Sequence, residues 1–233
     1  MAMVGTLASA LEEVRGRIAV AARRSGRDAS AVRLMAVTKG FPRGTVEEAC
    51  SLGLALFGEN RVQEAEEKFL DPPAPVELHL IGHLQRNKAR AASGLFACVQ
   101  SIDKVETAVA LDVRCEERGR TMEILLELNT SGEESKSGFR SRDELLAGLE
   151  AISRLAHLRV RGLMTVGPLT ENRDQIRSAF ATLRNLFDEL RSRGLSGFDT
   201  LSMGMSGDFE TAIEEGSTLV RVGTALFGKR GPA

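Results

Sequence analysis

The chain has 233 residues, 42% of them hydrophobic, with 31 Lys plus Arg against 32 Asp plus Glu and a formal net charge of −1. That length fits one α/β barrel or a compact two-domain protein, and the even charge argues against a nucleic-acid binder, which is usually basic. The three cysteines, Cys50, Cys98 and Cys115, stand far apart with no CxxC pair, which argues against a metal site or a disulfide framework.

Residues 6–24 read as a helix, because Leu7, Leu11, Val14, Ile18 and Ala21 recur at helical spacing behind a candidate N-cap, Thr6. Residues 25–27 end it. A strand follows at 33–38, an apolar run that stops abruptly at Lys39. The chain then alternates short apolar runs with longer amphipathic ones. A helix at 45–52 leads to a strand at 54–57, and a helix at 61–70 to a proline-stiffened connector at 71–75. Next come a strand at 77–81, a short helix at 87–93, a strand at 97–100 and a helix at 104–118. A strand at 123–128 opens into a long polar loop at 129–138. The remaining pattern is helix 142–153, strand 160–163, helix 176–191, strand 200–202, helix 208–215, strand 219–222 and a short tail at 227–233.

Eight strand candidates with a helix in nearly every gap predict a parallel sheet, and eight βα units suggest that it closes into a TIM (β/α)8 barrel. The competing open, doubly wound sheet would carry a GxGxxG turn after its first strand, and none follows Lys39. One barrel domain over 1–233 is expected, with the N-terminal helix ahead of a barrel at about 31–230. No apolar run approaches the ~20 residues that cross a bilayer. Residues 1–4 show no secretory signal, and free thiols suit a reducing cytosol, so a cytoplasmic protein without membrane contact is expected.

In such a barrel the residues just after each strand converge at one mouth, where chemistry sits. Here they are Lys39, Asn60, His83, Asp103, Asn129, Met164, Ser202 with 203–206, and Arg221 with Gly223 and Thr224. Lys39 is either a lysine pointing into water or an amine placed to condense with an aldehyde. Ser206 precedes a helix and reads either as an ordinary N-cap or as an anion ligand. Gly223 permits close backbone approach, and Thr224 adds a hydroxyl and an N–H. Arg221, inside its strand, either snorkels to water or points inward at a partner. His83 is a general base or a wall residue, and Asn60 binds a ring hydroxyl or caps the next helix. Met203 and Met205 read as packing. A lysine for an aldehyde, a phosphate cradle opposite it and an inward arginine together describe a pyridoxal 5′-phosphate (PLP) site. A sugar-phosphate isomerase using Lys39 on a substrate carbonyl is an alternative from another class.

The stretches AVTKG (36–40), FGENRVQE (57–64), HLIGHLQRNK (79–88), SKSGF (135–139), GLMTVG (162–167), LSMGMSGD (201–208) and STLVRVGTALFG (217–228) closely resemble the pyridoxal phosphate homeostasis protein family. The resemblance runs from about 30 to 228. Gly207 departs from it, standing where an aspartate is expected. The resemblance implies a barrel like the N-terminal domain of alanine racemase, PLP held as an internal aldimine on Lys39, and no established catalysis. It implies a carrier that buffers PLP and keeps vitamin B6 and amino-acid pools balanced, with apo PLP-dependent enzymes as acceptors. Arg221 would face the pyridine nitrogen, and Ser206, Gly223 and Thr224 would hold the phosphate. Lys39, Asn60, His83, Met164, Ser202, Ser206, Arg221, Gly223 and Thr224 are the expected cofactor-binding set, in a monomer or weak dimer. A racemase-type PLP enzyme is the alternative. It would need a tyrosine base from another domain or subunit, and this chain contains no Tyr.

Overall fold

The computed structural model describes residues 6–195 and 197–229. The reading of residues 1–4 as carrying no signal, the barrel limit at 230 and the end of the 227–233 tail lie outside the described residues. The first helix, α1 (Leu7–Arg24), begins where expected. Thr6 caps it by accepting from the Ser9 N–H at 3.3 Å, and the predicted apolar stripe is its buried face.

Strands β1 (Arg33–Val37), β2 (Leu56–Glu59), β3 (Glu77–Leu80), β4 (Cys98–Ile102), β5 (Met122–Glu127), β6 (Leu158–Met164), β7 (Thr200–Ser202) and β8 (Leu219–Val222) form one closed barrel in sequence order. Every neighbouring pair is parallel, and β1 closes on β8 with Met35 opposite Arg221. Around it run α2 (Arg43–Ser51), α3 (Val62–Phe69), α4 (Ala89–Leu95), α5 (Val105–Glu116), α6 (Arg142–Ile152), α7 (Arg173–Ser192), α8 (Phe209–Glu214) and α9 (Thr224–Phe227). Helix α1 lies against α8 and α9. Among the described residues no helix is long and apolar enough to cross a membrane.

Strand alternation sorts the side chains into two compartments. Ala36, Phe57, Val99, Ile124, Leu126, Val220 and Val222 face the helices in the main core. Met35, Val37, Leu56 and Leu219 make one apolar patch inside the barrel, and Cys98, Leu125 and Met164 make another. Polar residues occupy the space between the patches. At the N-terminal base, Arg33 pairs with Glu77 at 2.5 Å, and Arg161 with Asp199 at 2.6 Å and with Glu123.

The element boundaries differ from expectation where polar residues enter strands. β2 runs on to Glu59, whose carboxylate is neutralised by Lys68 from α3 at 2.9 Å. β4 runs on past Gln100 to Ser101 and Ile102, and the polar Gln100 and Ser101 are buried with hydrogen-bond partners rather than excluded. Helix α2 starts two residues early, directly behind Pro42, whose carbonyl accepts from the Thr45 N–H at 3.0 Å. Helix α9 forms between the eighth strand and the tail, where no element was expected.

Gly162 in β6 marks a close approach. β5 and β6 shift register beside it, and a Cβ at Gly162 would lie 1.7 Å from the Thr200 carbonyl oxygen of β7. Backbone cannot yield as a flexible side chain can. Gly162→Ala is expected to cost about 3 kcal/mol or more. Gly16→Ala, in open space on α1, should stabilise by ~1 kcal/mol. Paired thermal melts of the two variants check this contrast.

Candidate functional site at the C-terminal mouth

Lys39 stands just past β1, and both of its chain neighbours are pinned. Thr38 is fully buried, and its hydroxyl donates to Glu59 Oε1 at 2.7 Å. Lys68 Nζ donates to the Thr38 carbonyl at 2.7 Å, to Glu59 Oε1 at 2.9 Å and to Glu64 Oε1 at 2.6 Å. Glu64 in turn accepts from the Gly40 N–H. Burial pushes the Glu59 carboxyl up despite these bonds, and its Oε2 is left without a partner. The Glu59–Lys68 ion pair is therefore costly to bury and costly to break. Its structural effect is to fix the backbone on either side of Lys39. The sequence reading missed this pair. A signal was present: Lys68 falls on the buried stripe of α3 formed by Val62, Ala65 and Phe69.

A cavity of about 200 Å³ opens at the mouth, lined by Val37, Lys39, Phe41, Ile81 and Arg221 on one side. Met205, Ser206, Gly207, Gly223 and Thr224 line it from the loops after β7 and β8. Phe41 is backed by Phe227 of α9, with ring centroids 5.4 Å apart. Arg221 is inward and 4% exposed, so the inward alternative holds and snorkelling does not. Its Nη1 donates to Ser202 Oγ at 2.6 Å and its Nη2 to the Thr165 carbonyl at 2.7 Å. Burial lowers its pKa to about 10, with Asp208 and Glu127 opposing that shift, so the guanidinium stays charged at neutral pH.

The loops after β7 and β8 are tied together. Ser206 Oγ accepts from the Gly223 N–H at 3.2 Å and the Ala225 N–H at 3.1 Å. Ser206 and Thr224 both line the cavity. Gly204 makes the turn possible: at φ +95° a Cβ would lie 2.5 Å from the Ala212 Cβ of α8. The departure at Gly207 faces open space, since a Cβ there would meet nothing within 4 Å. The loop's carboxylate comes from the next residue, Asp208, whose Oδ1 accepts from the Met205 N–H at 2.5 Å.

Lys39, Ser206, Arg221, Gly223 and Thr224 thus share one cavity. The other expected site residues lie elsewhere. Asn60 and His83 line a neighbouring cleft with Arg61 and Lys88. His83 is nearly half exposed, with Nδ1 3.5 Å from Asp103 Oδ2. Met164 packs inside the barrel against Cys98 and Leu125. Ser202 is fully buried beneath Arg221. Asn129 organises its own loop, accepting from the Ser131 N–H at 3.2 Å and donating to the Glu133 carbonyl at 2.8 Å. Met203 is core, as expected, whereas Met205 is cavity wall. Among the described residues no cluster of His, Cys, Asp or Glu could hold a metal.

One acid at the mouth was missed. Glu127 ends β5 with its side chain buried, and Asp103 follows β4 directly, one step past the Ile102–Leu126 pair. Burial first, and Asp103 second, raise the Glu127 carboxyl to about 7, with Arg221 pulling the other way.

A parallel barrel with an amine, a buried arginine and a hydroxyl-lined double loop at its mouth defines a known class. The family described as alanine racemase, N-terminal domain, matches residues 10–231. A Pseudomonas aeruginosa protein named pyridoxal phosphate homeostasis protein is 43% identical over 228 residues, covering 97% of each chain. The chain belongs to the alanine racemase N-terminal domain family, and within it to the pyridoxal phosphate homeostasis proteins. PipY of Synechococcus elongatus, solved with PLP bound, superposes with a TM-score of 0.82 at 35% identity, covering 96% of this chain and all of that one. Alanine racemase of Clostridium difficile shares the fold, with a TM-score of 0.74 at 14% identity, and this chain spans 57% of it.

Proposed function

We propose that the chain binds PLP in this cavity, attached covalently through the Lys39 amine, and carries or buffers it without turning over a substrate. The observation that carries this reading is the convergence of Lys39, Arg221 and the Ser206, Gly223 and Thr224 loops on one small cavity. The name of the Pseudomonas relative and the PLP bound to PipY support it. When bound, the cofactor supplies an aldehyde that condenses with a primary amine with loss of water. Lys39 is that amine, on a backbone fixed at Thr38 and Gly40. Arg221, at the cavity wall, would donate to the ring nitrogen and hold it free of a proton, which would disfavour carbanion chemistry. The absence of any tyrosine from the chain removes the second base a racemase of this fold would use. The same reading makes apo PLP-dependent enzymes the acceptors, in the cytoplasm, with one barrel domain acting as a monomer or weak dimer.

The phosphate end tests the reading. Hydrogen bonds to charged groups are worth ~1.5–3 kcal/mol each, so two of them give on the order of 10²-fold in affinity. Pyridoxal, which keeps the aldehyde and ring but lacks the phosphate, should bind at least ~10-fold more weakly than PLP. Ser206→Ala with Thr224→Ala should narrow that gap by weakening PLP alone. A titration in which both ligands bind equally, or in which the double variant loses both alike, removes the cradle from the proposal.

A further inference from the structure

Arg221 is the upper end of a hydrogen-bonded chain that crosses the barrel interior to its base. Below it, Ser202 Oγ donates to Gln100 Oε1 at 2.7 Å, and Gln100 Nε2 lies 2.7 Å from His79 Nδ1. His79 Nε2 lies 2.8 Å from Glu77 Oε1, and Glu77 Oε2 accepts from Arg33 at 2.5 Å. Ser202, Gln100 and His79 are all at most 3% exposed. Water has little access to rescue a mismatched donor in such a place, and an unpaired buried group is expensive.

The proton positions in this chain are constrained by chemistry. Arginine only donates, so Ser202 must accept from it, and the single serine proton must go onward. It goes to the Gln100 carbonyl oxygen, which leaves the Gln100 amide N–H to face His79. His79 Nδ1 must therefore be bare, and Nε2 carries the proton that Glu77 accepts. Glu77 is suited to this, because the His79 hydrogen bond first, and Arg33 in addition, hold its carboxyl down to about 2. The bonds run one way, from a cation at the mouth to an anion at the base. A proton on Nδ1 would force the Gln100 amide to turn over. Its N–H would then face Ser202 Oγ, and the serine proton would lose its acceptor.

We propose that His79, acting through Gln100 and Ser202, is the positioning residue that fixes the Arg221 guanidinium at the cofactor cavity. This rests on the proposed reading of that cavity as the PLP site. Ser202 accordingly serves the site from below Arg221, as the link that orients it.

Two measurements test the inference, and the first needs no cofactor. Nitrogen-15 NMR of the ligand-free protein should find His79 as the Nε2–H tautomer. Gln100→Leu removes the amide that donates to Nδ1 and should shift the Nδ1 resonance while leaving the Nε2–H and its bond to Glu77 in place. Finding Nδ1–H in the parent protein, or an Nδ1 resonance unmoved in the variant, overturns the chain. The second measurement is ligand binding. His79→Leu should weaken PLP and pyridoxal by the same factor, about 5- to 10-fold, because Arg221 serves the ring and not the phosphate. His79→Asn, whose amide oxygen can replace the Nδ1 acceptor, should recover most of that loss. Equal affinity in all three proteins, or a loss confined to PLP, overturns the positioning role. Should the parent protein bind neither ligand, the proposed function fails, while the NMR result still judges the chain.

Discussion

Lys39→Ala is expected to lose the covalent cofactor adduct altogether. In the parent protein loaded with PLP, borohydride reduction should fix one cofactor mass per chain, and digestion should place it on Lys39. In the variant the trapped mass should fall to background, together with the visible absorption band. Three other lysines are poorly suited to take over. Lys68 is buried and gives its protons to Thr38, Glu59 and Glu64. Lys136 is held by Glu133 at 2.6 Å and by the Gly167 carbonyl at 2.8 Å. Lys88 lines the neighbouring cleft. The fold should be unaffected, within about ±0.5 kcal/mol, because Thr38 and Gly40 are pinned through other side chains. Recovery of the reduced cofactor from the parent protein only on a lysine other than Lys39 would overturn the assignment.

The barrel was legible because its strands are short apolar runs separated by helical spacing, and eight βα units close in only a few ways. Once it closes, the topology itself gathers whatever follows each strand, which is how Lys39, Ser206, Gly223 and Thr224 could be named. Direction is what that logic lacks. Asn60 and His83 also follow strands, yet they turn into a neighbouring cleft. Ser202 and Arg221 are both inward residues, but only contact reveals that one supports the other. The interior chain was illegible for a related reason. Gln100 meets His79 across 21 positions and Ser202 across 102, and no local pattern encodes such pairings. Polar residues inside apolar strands, such as His79, Gln100 and Glu127, were the available signal. Each marks a place where burial had to be offset by a partner the sequence does not name.

Glu127 gives the second large effect, on stability and its dependence on pH. Its carboxyl sits at about 7 in the folded protein against an ordinary value of 4.5. The folded state therefore holds this proton more tightly than the unfolded chain does. Stability from this group is fully present below pH ~4.5, falls as pH rises towards 7, and does not fall further above that. At ~1.4 kcal/mol per pH unit the loss amounts to roughly 3 kcal/mol. Solvent screening reduces it little, because the side chain is 5% exposed. Glu127→Gln keeps the shape and removes the ionisation. It is expected to raise the melting temperature of the ligand-free protein at pH 8 and to leave it nearly unchanged at pH 4.5. The full ~3 kcal/mol is an upper bound, since the charged Glu127 also opposes the desolvation of Arg221 and the variant leaves that task to Asp208. Thermal melts of both proteins from pH 4.5 to 8 measure this directly. A difference that stays constant across that range, or a variant that melts lower at pH 8, would show that the carboxylate is stabilised at the mouth rather than strained there.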